Sequence, residues 1–218
     1  MIQLLRCPPL MSLMRHRSLG LRSVVLFAAC GVSLWAQAGG VSSPGRYQPL
    51  DASVRWHLYL DDTWRSVGFY GAAIAAGIDG QLEHNPPEWH GVAGFGRQTA
   101  SWIGIFGIQE SIHQGGGTVL GYDPRYFACE CRGFFRRTGH AVKWSLVTKN
   151  SSGQTRPDLP AIAGAYGSGI ISTLWYPAPH RPLSDGIPAG HEQMIFVVGI
   201  NVIKEFAPEL KRALRFGH

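Results

Sequence analysis

Val67-Gly68-Phe69-Tyr70-Gly71-Ala72-Ala73-Ile74-Ala75-Ala76-Gly77-Ile78-Asp79-Gly80-Gln81-Leu82 sets the pattern for the rest of this 218-residue chain. Val67, Tyr70, Ile74, Ile78 and Leu82 step by three or four, so they share one face of a helix. Beside them Gly68, Ala72, Ala76 and Gly80 step by four, a small-residue ridge along which a second backbone can approach closely. Each helical glycine costs ~1 kcal/mol against alanine, so close packing must compensate. Asn85-Pro86-Pro87 ends the helix, because proline disfavours helical geometry in the residue before it. Asp61-Asp62-Thr63 offers its N-cap. Upstream, Gly39-Gly40, Ser42-Ser43-Pro44-Gly45 and Pro49 predict an irregular segment over 39–60.

The same composition recurs downstream. A second helix fits Arg97 to about Gln114, with Trp102, Ile105, Ile108 and Ile112 on its apolar face and Ala100, Gly104, Gly107 and Ser111 on its small side. Gly115-Gly116-Gly117 is expected to end it. Asp123-Pro124 suits a short helical turn. A third helix is predicted from about Gly133 to Thr148, with Phe135, Val142 and Leu146 inward, and a polar loop follows at 150–154. The fourth, Pro160 to Trp175, again steps by four through Ala161, Ala165, Gly169 and Thr173. Glu192 to Phe206 is nearly all apolar and is expected to be buried. Pro208 then starts a last amphipathic turn or two. Strand signals are poor. The expectation is an all-α bundle of about five Gly/Ala-rich helices, one domain over 61–218.

The N-terminal 38 residues read differently. Arg6, Arg15, Arg17 and Arg22 precede the apolar run Val24–Trp35, which closes on Ala36-Gln37-Ala38, and no acid occurs before Asp51. Charge, apolar core and small-x-small cut site in that order describe a cleavable secretory signal peptide. The run is shorter than the ~20 residues a span requires. Met1, Met11 and Met14 are alternative starts. Leu26-Phe27-Ala28-Ala29-Cys30 is similar to a lipoprotein box, so lipidation at Cys30 is the rival to a plain cut after Ala38. The expected location is periplasmic or envelope-associated.

Removing that leader changes the charge argument. The formal +6 includes four basic residues of the leader and none of the 14 acids, so 16 basic residues face 14 acidic ones and leave +2. Nucleic-acid binding needs a concentrated basic face and is not expected. A membrane surface or an envelope protein is the expected partner. Leu159 to Pro179 carries no charged residue and is the candidate span, but Pro160 and Pro177 shorten its helical part to ~24 Å.

Candidate chemistry is sparse. Glu83-His84-Asn85-Pro86-Pro87-Glu88-Trp89-His90 concentrates imidazoles and carboxylates. His84, Glu88 and His90, with Glu110 and His113 of a helical Glu-x-x-His, are the candidate ligands for a divalent metal. Against this, the Pro-Pro pair prevents the helical spacing of H-E-x-x-H, and the plainer reading is polar surface. Asp79 and Glu83 lie four apart on a helix and would suit acid–base work, although such pairs are usually solvated. Gly167-Ser168-Gly169 is not a nucleophile elbow, and Gly115-Gly116-Gly117 lacks the Lys and Ser/Thr of a phosphate loop. Cys129 and Cys131 flank one residue; two half-buried thiols or a local bridge are favoured over a metal or redox Cys-x-Cys. Trp56, Trp64, Trp89, Trp102, Trp144 and Trp175 suit either a core or a ligand cleft.

Several phrases carry a resemblance: Gly71 to Asp79, Pro87-Glu88-Trp89, Gly94-Phe95-Gly96-Arg97, Asp123-Pro124-Arg125-Tyr126-Phe127, Gly139-His140-Ala141, Trp175-Tyr176-Pro177 and Lys204-Glu205-Phe206. Together they resemble a group of bacterial exported proteins with no assigned activity. The resemblance covers most of 65–216. It implies an envelope location and transfers no catalytic residue. The expected function is that of a non-enzymatic binding or structural protein of the envelope. The alternatives are a metal-dependent protein and an assembly of membrane helices packed through small residues.

Overall fold

The chain forms an all-α bundle. The computed structural model describes residues 41–42, 47–177 and 181–215. The expected leader over 1–38, with Cys30 and the alternative starts, lies outside the described residues. In chain order come β1 (Val41–Ser42), α1 (Ala52–Thr63), α2 (Val67–Glu83), α3 (Gly91–Leu120), β2 (Tyr126–Phe127), α4 (Phe134–Trp144), β3 (Val147–Lys149), β4 (Thr155–Pro157), α5 (Leu159–Ser172) and α6 (Pro182–Arg215). The strands are short: β1 runs parallel to β2, and β3 pairs antiparallel with β4.

The bundle centres on α5, which packs between α3 and α6. Its buried face is Pro160, Ala161, Gly164, Ala165, Ser168, Gly169 and Ser172, so the four-residue step of small residues marks the interior as predicted. At Gly164 a Cβ would lie 2.6 Å from Gln109 O of α3, and at Gly169 2.5 Å from Gly186 O of α6. Those separations are closer than any side chain permits, so the two glycines fix how near the helices come. Ser168 and Ser172 donate to Ala165 O at 3.0 Å and Gly169 O at 2.7 Å, which satisfies the buried hydroxyls within their own helix.

Four elements depart from the sequence reading. The segment read as irregular holds α1, and Asp61-Asp62-Thr63 lies at that helix's C-terminal end. Ser66 caps α2 instead, accepting from Phe69 N at 3.3 Å. Helix α3 runs through Gly115-Gly116-Gly117 to a left-handed cap at Gly121. Gly116 faces Pro160, 3.1 Å from its would-be Cβ, so packing on the start of α5 holds the triple glycine in the helix. Helix α6 begins ten residues before Glu192 and continues across Pro188 and Pro208. Gly186 and Gly190, on either side of Pro188, press against Ile170 and Tyr166, contacts that offset the ~3 kcal/mol of an interior proline.

The largest departure concerns direction. On α2 the predicted apolar face points outward: Tyr70, Ile74, Ile78 and Leu82 are 46%, 49%, 45% and 65% exposed, whereas Phe69 and Ala73 are buried. Phe135 and Val142 on α4, and Leu146 just past its end, are exposed, against the inward placement predicted for them, and Ala141 is fully buried. In the apolar run of α6 the most buried residues are polar, Asn201 and Glu205. Small and polar residues line the interior, and large apolar ones coat much of the outside. An aromatic group of Phe69, Trp102, Phe106 and Phe196 is the main large-residue contact among α2, α3 and α6.

Candidate functional site

The most elaborate polar constellation gathers around Glu205, whose side chain is fully buried. Tyr126 of β2 donates its hydroxyl to Glu205 Oε2 at 2.6 Å. The Cys129 amide donates to the same oxygen at 3.0 Å. Arg137 of α4 donates from Nε to Oε1 at 3.1 Å and from Nη2 to the Glu205 carbonyl. Its Nη1 reaches Glu209 at 2.7 Å, and its Cζ lies 4.3 Å from the Phe206 ring centroid. His140 Nδ1 is 3.8 Å from Oε2. Burial, and then the hydrogen bond and charge of Glu205, push the Tyr126 phenol well above its ordinary range. Burial, only partly offset by Glu205, lowers His140. Nearby, Asn201 Nδ2 donates to Ser145 Oγ at 2.8 Å. Each contact joins α6 to β2, to α4 or to the link between them, so the cluster works as a clasp on α6.

A second cluster steadies the turn before it. Asp123, 1% exposed, is gripped by its neighbour Arg125 through Nε and Nη2 at 3.0 and 2.6 Å. Thr148 donates to the Asp123 carbonyl. Lys149 Nζ sits 4.5 Å from the Phe127 ring centroid, 5.4 Å from Tyr47 and 6.0 Å from Trp144. Three of the phrases that carry the resemblance, Asp123 to Phe127, Gly139 to Ala141 and Lys204 to Phe206, thus meet in this region. Cys129 and Cys131 are joined as a disulfide beside it.

The structure unites two of the five sequence-predicted metal ligands and adds one that the sequence reading missed. His113 Nε2 is 3.3 Å from Asp158 Oδ2, and Nδ1 is 3.8 Å from Glu110 Oε2. Asp158 also caps α5, accepting from Ala161 N at 3.0 Å. His84 and His90 face backbone carbonyls, Leu82 O at 3.3 Å and Pro87 O at 3.2 Å, and Glu88 is exposed. Among the described residues no group of three or more His, Cys, Asp or Glu side chains is placed to hold a metal ion. Ser168 is fully buried.

Burial alone would lower His113, but its hydrogen bonds and charge contacts with Asp158 and Glu110 outweigh that and raise it to about 10. The folded state therefore keeps a proton that an unfolded chain releases near 6.5. The contribution to stability is complete below that pH and is lost as pH rises through about 10. Urea unfolding across this window is expected to show stability falling with pH, by at most ~1.4 kcal/mol per unit from this residue. In His113→Gln that component of the slope disappears; an unchanged slope would refute the assignment.

Two shallow clefts lie along α3. One, of about 760 Å³, is lined by Glu88, Trp89, Arg97, Ala100, Ser101 and Trp175 among others. The other, of about 390 Å³, is lined by Trp64, Gly107, Ser111, Ile112 and Ile171. They meet at Gly104 and Ile108, which line both. Trp175 is held by its Nε1–H, which donates to Ser101 Oγ at 2.8 Å. Trp64 and Trp175 thus stand at the edge of a surface groove, Trp89 is buried beneath it, and Trp102 packs in the aromatic group, so the tryptophans divide between the two readings. No helix of the described residues is long and apolar enough to cross a membrane, which includes the candidate span beginning at Leu159.

No protein-family model, curated protein or solved structure matches the chain.

Proposed function

We propose that this is a non-enzymatic binding or structural protein of the cell envelope, held at a membrane surface through the outer faces of its helices. The observation that carries the reading is the outward apolar stripe of α2, Tyr70, Ile74, Ile78 and Leu82. Further large apolar side chains are exposed on other elements, among them Phe134, Phe135 and Leu174 at 62%, 87% and 78% exposure. Apolar surface of this kind marks a contact with protein or lipid. The polar clusters support the same reading from inside: Glu205, Asp123 and the His113–Asp158 pair each bind one element to another. The leader-like sequence over 1–38 and the resemblance to exported proteins support the envelope location.

The test is fractionation of cells expressing the full-length chain with a C-terminal tag. The protein is expected in the membrane pellet, retained through high salt and released by alkaline carbonate or detergent, as befits a chain held at the surface by apolar helix faces. Recovery in the soluble fraction before either treatment would defeat the reading.

A further inference from the structure

We infer that the joined clefts along α3 form a binding site for one acyl chain of a zwitterionic phospholipid of the phosphatidylethanolamine type. The inference deepens the membrane-surface reading and rests on it.

Length comes first. From Arg97 to Ile112 the groove follows 15 residues of α3, or ~22 Å at helical rise. A lipid chain crossing half of a ~30 Å hydrocarbon core needs ~15 Å, which leaves room for a head at one end. The floor is made of small residues, Ala100, Gly104 and Gly107, and the walls of Trp64, Ile171 and Trp175, each wall residue 37% exposed. Exposed tryptophans at a groove edge suit an apolar chain with a polar end.

Charge then selects the head. Both charged residues of the groove, Arg97 and Glu88, line the same cleft. Both are exposed, and neither side chain has a hydrogen bond or ion pair among the described residues. A guanidinium fits a phosphate, with its two parallel donors, and a carboxylate fits a primary ammonium. A fatty acid or a purely anionic lipid would leave Glu88 facing its head. A lipid carrying both phosphate and amine satisfies both residues.

Gly104 makes the idea testable without unfolding the protein. A Cβ there meets a single neighbour, Trp175 Cζ2 at 3.9 Å. Gly104→Leu therefore fits the helix, improves its propensity, and fills the point where the clefts join. The probe is lysophosphatidylethanolamine with a brominated chain, added to the purified full chain in a nonionic maltoside. Binding is read by tryptophan quenching and by native mass spectrometry. The expected result is saturable quenching with one lipid per chain. Gly104→Leu should weaken it by about tenfold or more, with an unchanged circular dichroism spectrum. Arg97→Glu should weaken it by about fivefold to tenfold. Lack of saturation in the wild type, or unaltered binding by Gly104→Leu, would overturn the site. So would a wild-type dimer that Gly104→Leu converts to monomer, because the groove would then be an interface between copies. Cell fractionation reads the outer helix faces and the lipid adduct reads the groove, so either idea can fail alone.

Discussion

Glu205→Ala is expected to lower the unfolding free energy by about 3–5 kcal/mol, the cost of removing one partner from a buried ion pair. The loss is large because three donors converge on one carboxyl group: the Tyr126 hydroxyl, the Cys129 amide and the Arg137 guanidinium. None is replaced by water, since the Glu205 side chain has no exposure. Glu209 also binds Arg137, yet its side chain is 47% exposed. Glu209→Ala should therefore cost no more than about 1 kcal/mol, the range of surface pairs. In thermal melts of a chain this size the first change corresponds to a fall of roughly 6–20 °C. Equal losses from the two substitutions would mean that the clasp is not centred on Glu205.

The second large effect is on where the protein resides. Ile74→Lys with Ile78→Lys is expected to cut the membrane-bound to soluble ratio by at least about tenfold. Each isoleucine buried at an interface contributes on the order of 1.5–3 kcal/mol, and each lysine adds the cost of bringing a charge towards the apolar phase. Both residues are about half exposed, so replacement should leave the core intact and the melting temperature nearly unchanged. Retention in the pellet at wild-type levels would show that α2 is not the contacting face. A large loss of stability would show that α2 is an internal helix.

The two predictions rest on the feature that was hardest to read in the sequence. Helical spacing was legible: Gly and Ala at intervals of four marked close approach, and α5 packs on that face. The direction of the apolar stripes was not. Periodicity locates a stripe without saying which side packs, and on α2 it is Gly77 and Gly80 that press on Phe95, Thr99 and Gln98 of α3, which leaves no room there for Ile or Leu. The large residues are thereby left outside. The triple glycine misled for a similar reason, since local propensity gives way to the contact between Gly116 and Pro160. Of the candidate ligands, Glu110 and His113 were legible as a helical pair, but Asp158, 45 residues further on, joins them only through the packing of α5 on α3. Glu205 was overlooked inside an apolar run. Its signal was present: Asn201 and Glu205, four apart, form a polar seam in an otherwise greasy helix, and such a seam points inward when its partners are Ser145 and Arg137.

That seam also sets a schedule for the nascent chain. Tyr126 and Arg137 precede their shared acceptor by 79 and 68 residues. At ~5–20 residues per second the ribosome needs about 3–14 s to bridge the shorter interval. Until then a phenol and a guanidinium destined for the interior have no counterpart, so the middle of the molecule cannot close ahead of its last helix. Closure of the fold is tied to the arrival of Glu205, and a chain cut short before it is left open where a holdase or a protease can engage it.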